Sequence, residues 1–123
     1  MMAASSKILL AEDDTRVREA LADLLTAWGY EVETAQDGVE ALEKASAFSP
    51  ALVISDLRMP RMGGAELVRE LRVRHSASPI IIFSGMEMTE SERTELREVR
   101  FLSKPLNPAV LRAEIVRRLE ADR

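Results

Sequence analysis

Polar or charged residues stand where apolar runs end. Glu12-Asp13-Asp14 follows Ile8-Leu-Leu-Ala11, Asp56 follows Ala51-Leu-Val-Ile54 after one serine, Ser84 follows Ile80-Ile-Ile-Phe83, and Lys104-Pro105 follows Arg100-Phe-Leu-Ser103. Carboxylates gathered in one place repel one another, and keeping several ionised together requires a cation. The chain has no cysteine and one histidine, so a hard divalent ion with oxygen ligands is the natural candidate. Mg2+, or Mn2+, suits a few carboxylates completed by water and phosphate oxygens. Lys104 supplies a positive charge for a phosphoryl oxygen and Ser84 a hydroxyl donor. Together these describe phosphoryl transfer with a carboxylate as acceptor. No G-x-x-x-x-G-K-[ST] loop is present, so the phosphoryl donor is expected to come from outside.

Such side chains must be brought together by the elements that carry them. The apolar runs, rich in β-branched residues and lacking alternation, read as strands buried on both faces. Glu31 to Ala35 alternates and reads as an exposed strand at a sheet edge, and Arg100 to Ser103 is a weaker fifth strand. Between them, Val17, Leu21, Leu24, Leu25 and Trp28 line one helix face, with Asp14 or Thr15 as its cap and Gly29 as its end. Val39, Leu42, Ala45 and Phe48 form a second stripe stopped by Ser49-Pro50; Leu67, Val68 and Leu71 form a third after Gly63-Gly64. Leu111, Ile115 and Leu119 form the last, opened by Asn107-Pro108. The stretch from Thr89 to Glu98 gives the weakest helix, mostly charged, with Leu96 and Val99 as its apolar contributions. Five strand–helix alternations predict an α/β sheet covered by helices on both faces. In such sheets ligands bind beyond the carboxyl ends of the strands.

Composition narrows the function further. The length of 123 residues suits one domain. Residues 1–6 are expected to form a disordered extension and residues 7–121 the domain. A net charge of −4 argues against a general nucleic-acid binder. The absence of cysteine removes disulfides, thiolate metal sites and cysteine catalysis. No apolar run is long enough to cross a bilayer, and Met1 to Ser6 lacks signal-peptide character, so a cytoplasmic domain without membrane contact is expected.

Lys7-Ile-Leu-Leu-Ala-Glu-Asp-Asp14, Leu52-Val-Ile-Ser-Asp-Leu-Arg-Met-Pro60 and Phe101-Leu-Ser-Lys-Pro105 resemble the three signatures of response-regulator receiver domains. The resemblance runs from about Lys7 to Leu119. It implies a flavodoxin-like, doubly wound parallel sheet of strand order 2-1-3-4-5 with five helices. It implies Asp56 as phosphoacceptor and metal ligand, Asp13 as direct ligand, Glu12 as a ligand through water, and the Arg58 backbone carbonyl as a further ligand. Lys104 and Ser84 would contact the phosphoryl group beside a small Gly85. Ser84 and Phe101 would form the switch pair, and Lys104-Pro105 would be cis. The implied donor is a histidine kinase or phosphotransfer protein; the output protein is not named by the sequence.

Blander roles compete for some of these residues. Asp56 alone could cap a turn; Asp14 reads as a helix cap in preference to a ligand; Phe101 reads equally as core or switch. His75 and Arg69, Arg72 and Arg74 read as solvated. Two other functions also compete. A phosphohydrolase of the haloacid-dehalogenase type would carry Asp-x-Asp-x-Thr after the first strand, where this chain reads Glu12-Asp-Asp-Thr15. A receiver-like interaction module that is never phosphorylated would need none of Asp13, Asp56, Ser84 and Lys104. The sequence departs from the family at Gly63, where an Asp cap is usual, and in the compressed stretch from Ser84 to Lys104. The latter predicts a short, displaced or mobile fourth helix and resembles receivers attached to hybrid histidine kinases. Arg58 and Met86, each two residues past a site residue, are expected to affect phosphoryl lifetime.

Overall fold

All five candidate strands form: β1 (Lys7–Ala11), β2 (Glu31–Ala35), β3 (Leu52–Asp56), β4 (Ile80–Ser84) and β5 (Arg100–Ser103). The computed structural model describes residues 5–74 and 76–121. Most of the expected N-terminal extension, and His75, lie outside the described residues. Every strand pair is parallel, in the order β2-β1-β3-β4-β5. The alternating segment is an edge strand, and β5 is the other edge. The ladder of β3 continues past its apolar run, with Ser55 opposite Ile82 and Asp56 opposite Phe83, so the acidic residue is itself the last residue of a buried strand.

Five helices follow the strands: α1 (Thr15–Ala27), α2 (Gly38–Phe48), α3 (Gly64–Val73), α4 (Glu90–Glu95) and α5 (Pro108–Ala121). Successive strand residues point to opposite faces, which divides the core in two. On one face Leu21 and Leu25 of α1 and Leu111 and Ile115 of α5 pack on Ile8, Leu10, Ile54 and Phe83. On the other, Leu42 of α2 and Leu67, Val68 and Leu71 of α3 pack on Leu9, Val53, Ile80 and Ile82. This is the doubly wound arrangement. Among the described residues no helix is long and apolar enough to cross a membrane.

The helix ends follow local chemistry. Asp14 caps α1, accepting from the N–H groups of Arg16 and Val17 at 2.9 and 3.2 Å. Gly29 follows α1 at φ +99°, a left-handed conformation that favours glycine. Asn107 caps α5 through Ala109 and Val110. The fourth helix is short, six residues with none of them buried, while Leu96 and Val99 just beyond it join the core. The deepest positions of α2 are Gly38, Ala41 and Leu42, with Val39 only half-buried. Its first turn presses on the loop after β3, where the Gly38 N–H donates to the Met62 carbonyl at 2.8 Å.

Helix α3 starts without a side-chain cap at Gly63. Backbone bonds hold it instead: Gly64 N–H to Leu57 O at 2.9 Å and Leu67 N–H to Gly63 O at 3.0 Å. The demanding position is Gly64, where a Cβ would lie 2.5 Å from the Asp56 carbonyl oxygen and 3.1 Å from Leu57 Cα. Neither obstacle is the end of a flexible side chain. Gly64→Ala is therefore expected to lower unfolding free energy by about 1–3 kcal/mol, the usual cost of overpacking. Urea denaturation measures this, and a wild-type midpoint would contradict the close approach.

Candidate functional site

Strands β1 and β3 are hydrogen-bonded neighbours with Ala11 opposite Ser55, so the residues following Ala11 emerge beside Asp56. Glu12 is fully buried, Asp56 nearly so, and Asp13 exposed. Carboxylate oxygens of Glu12, Asp13 and Asp56 lie within 4.8 Å of one another. Lys104 reaches them from beyond β5, and its Nζ donates to Asp56 Oδ2 at 2.9 Å and to Glu12 Oε1 at 3.0 Å. The ammonium also sits 5.1 Å from the centre of the buried Phe83 ring. The Lys104 N–H donates to the Ser84 carbonyl at 2.9 Å, and the Lys104-Pro105 bond is cis.

Burial sets the electrostatics. It is the largest influence on Glu12 and pushes its carboxyl up to about 7; Lys104 and the Asp14 N–H pull the other way, while the charge of Asp56 adds to the rise. For Lys104, burial pulls the ammonium down, but the bonds to Asp56 and Glu12 outweigh it and leave the group above its usual range.

The acidic cluster suits a divalent cation. Around Mg2+ oxygen ligands at about 2.1 Å lie about 3 to 4 Å apart, close to the spacing of these carboxylates. The donors are all hard oxygens. Among the described residues Lys104 is the one cation within ion-pair distance of the three carboxylates, which leaves negative charge for a metal to balance.

The other expected residues stand around this centre. Ser84 ends β4, the strand beside β3, and its Oγ accepts from the Met86 N–H at 3.1 Å. The Arg58 N–H donates to Asp56 Oδ1 at 3.3 Å, while its side chain turns away to Glu92. Met86 is exposed. A Cβ at Gly85 would lie 3.9 Å from Lys104 Cβ, an ordinary contact, so the path of the lysine does not itself demand glycine there. Phe101 is half-buried on β5, opposite Ile82, and packs on the core face shared by α2 and α3.

Three contacts were not foreseen from the sequence. Arg18 Nη1 donates to the carbonyls of Glu12 and Asp13 at 2.8 and 3.4 Å, tying the acidic loop to α1. Buried Asp37 caps α2 through Glu40 N–H and receives Arg61 Nε at 2.8 Å; the carboxyl lies below its usual range, chiefly through the Arg61 hydrogen bond. Arg61 has φ 64°, a left-handed conformation that costs a non-glycine residue about 1 kcal/mol, and the pair offsets it. Third, Arg58 binds Glu92 with both terminal nitrogens, at 2.5 and 2.9 Å. The last two left a local trace of their caps but not of their arginine partners, the capping signatures Asp37-Gly-Val-Glu40 and Thr89-Glu-Ser-Glu92.

The raised Glu12 pKa has a defined sign. Between its ordinary value of 4.5 and about 7 the unfolded chain has released a proton that the folded metal-free protein retains, so stability falls as pH rises through that window. The slope is at most about 1.4 kcal/mol per pH unit. Thermal melts in chelator should show this fall, Glu12→Gln should flatten it, and Mg2+ should suppress it while releasing protons. An equal slope in Glu12→Gln would assign the effect elsewhere.

Comparison with known proteins bears on the family and the fold. The chain is 37% identical over 116 residues to response regulator RR06 of Streptococcus pneumoniae, covering 93% of this chain and 51% of that protein, so it spans about half the relative's length. Chemotaxis protein CheY4 of Vibrio cholerae superposes with TM-score 0.86 at 34% identity, covering 94% of this chain and 99% of that one. The signal receiver domain of a histidine kinase from Syntrophus aciditrophicus superposes with TM-score 0.84 at 30% identity, covering 95% and 92%. The family model for the response regulator receiver domain matches residues 8–116, and the chain belongs to that family.

Proposed function

We propose that this receiver domain accepts a phosphoryl group on Asp56 and carries it as a signal. The observation that supports this best is the convergence of Glu12, Asp13 and Lys104 on the Asp56 carboxylate. The donor is a phosphohistidine of a histidine kinase or phosphotransfer protein. An Asp56 oxygen attacks phosphorus, the bond from phosphorus to the imidazole nitrogen breaks, and the histidine leaves with the electron pair and takes up a proton. Hydrolysis of the resulting acyl phosphate returns the carboxylate and inorganic phosphate.

Each neighbour has a part. Lys104 holds the acceptor in place and then neutralises a phosphoryl oxygen. The Ser84 hydroxyl, at the adjacent strand end, donates to another. Asp13, Asp56, the Arg58 carbonyl and, through water, Glu12 would hold Mg2+ or Mn2+, which supplies charge neutralisation for the transferred group. Drawing Ser84 inward opens space that Phe101 on β5 fills, which passes the event to the surface of α4, β5 and α5. The domain is a signalling module whose chemistry is confined to its own Asp56, and these reactions suit the cytoplasm. Output goes to a partner protein, either from a lone receiver or from a longer regulator or kinase of which this is a part.

Incubation with acetyl phosphate and Mg2+, followed by intact-mass measurement, should label the wild type and not Asp56→Asn. Lys104→Ala should retain Mg2+ binding but label at least about tenfold more slowly, the loss of one charge-assisted contact. Equal labelling of wild type and Asp56→Asn would remove Asp56 as acceptor. No labelling of the wild type, from acetyl phosphate or a phosphohistidine donor, would favour an interaction module.

A further inference from the structure

Helix α4 has little of its own to hold it. It has six residues, none of them buried, and an isolated helix of that length does not persist in water. Its first turn is closed by a reciprocal cap: Thr89 Oγ1 accepts from the Glu92 N–H at 3.1 Å, and Glu92 Oε1 accepts from the Thr89 N–H at 2.8 Å. The same carboxylate has a second partner. Arg58 Nη1 donates to Glu92 Oε2 at 2.5 Å and Arg58 Nη2 to Oε1 at 2.9 Å, while Nη2 also reaches the Glu87 carbonyl at 3.4 Å. Arg58 stands two residues beyond Asp56, and Glu87 three beyond Ser84 on the neighbouring strand. One side chain therefore spans the gap between the loops leaving β3 and β4 and ends on α4.

We propose that Arg58 and Glu92 form a strap in which Glu92 is a positioning residue. Glu92 holds the Arg58 guanidinium turned away from Asp56, and Arg58 in return holds the first turn of α4. Strap and helix form and break together. The inference rests on Asp56 being the phosphoacceptor, since that is what gives the strap a signal to read. A phosphoryl group on Asp56 adds about two negative charges and three acceptor oxygens. A guanidinium suits phosphate as well as carboxylate, so phosphorylated Asp56 competes with Glu92 for one cation. When Arg58 turns inward, α4 keeps its cap alone and loosens. This route from acceptor to α4 is separate from Ser84 and Phe101.

Two variants break the strap from opposite ends. Glu92→Gln retains the cap, because glutamine also closes a capping box, but removes the charge. Arg58→Ala removes the guanidinium. Amide hydrogen exchange in the unphosphorylated protein is read over residues 89–96, with β1 and β3 as internal references. Each variant should speed exchange over 89–96 by about fivefold, as expected for one well-formed ion pair, with the strands unchanged. The double variant should go no further than either single one. Unchanged exchange in a single variant, or additive effects in the double, would overturn the strap.

The second arm reads the site itself. After labelling with acetyl phosphate and Mg2+, Glu92→Gln should keep the phosphoryl group several-fold longer than wild type and Arg58→Ala should lose it several-fold faster. The first frees Arg58 to cover the phosphoryl group and the second removes it. Wild-type hydrolysis in Glu92→Gln would overturn the positioning role, since a residue that merely stabilised α4 would leave hydrolysis unmoved. If wild type takes up no label, the mass measurement rejects the acceptor reading, and exchange over 89–96 still decides whether the strap exists.

Discussion

The shared ammonium of Lys104 allows Glu12 and Asp56 to stand side by side at the ends of adjacent strands. Two like charges about 4 Å apart near a protein surface repel by about 4 kcal/mol. A cation within 3.0 Å of both offsets that repulsion and fixes the carboxylates relative to each other. Much of the fold follows from this need. Lys104 leaves β5, crosses the end of β4 above the Phe83 ring, and arrives at β3 and β1. That path exists only because every strand runs in the same direction, so all the carboxyl ends lie on one edge. An antiparallel strand in any of these places would send its charged residue to the far edge.

One lysine does not neutralise three carboxylates, and the remaining charge makes the site responsive. Glu12 has three ways to relieve its burial: a proton, a metal ion or a closer lysine. The first two exclude each other, which ties metal affinity to pH. A phosphoryl group on Asp56, as proposed, would add further negative charge at the same place, so a metal and the phosphoryl group would favour one another's presence. By linkage that preference is reciprocal.

The strand ends were legible because a buried parallel strand requires an uninterrupted apolar run, and a charged residue at its end is then conspicuous. Glu12, Asp13, Asp56 and Lys104 all announce themselves in this way, and the structure brings them together. The caps at Asp14 and Asn107 were equally legible, since capping is local. What could not be read were pairings between charges of neighbouring loops and helices far apart in the chain. Asp37 with Arg61 and Arg58 with Glu92 join loops separated by 24 and 34 residues, and nothing in the spacing of an arginine states which carboxylate it will meet. Helix α2 keeps Leu42, Ala45 and Phe48 of its expected stripe on the core, while its first residue, Gly38, is buried beyond what that stripe foretold. That burial is set by contact of Gly38 with the Met62 carbonyl, a backbone approach that side-chain periodicity does not report.

The short α4 changes how a signal can travel. A helix held by an apolar face moves only if its packing is broken, at a cost of several kcal/mol. Here the apolar anchors, Leu96 and Val99, lie beyond the helix, and Glu90–Glu95 contribute no buried side chain. What holds the first turn is a cap and an ion pair, each worth about 1 kcal/mol. Those are small beside the total stability of a domain, so this turn can open while the sheet and its other helices stay intact. They are also small beside the charge that the proposed phosphoryl group would deliver two residues from Arg58. A compressed segment between β4 and β5 thus exchanges a helix locked by packing for one held by charge, and the charge that holds it borders the proposed acceptor.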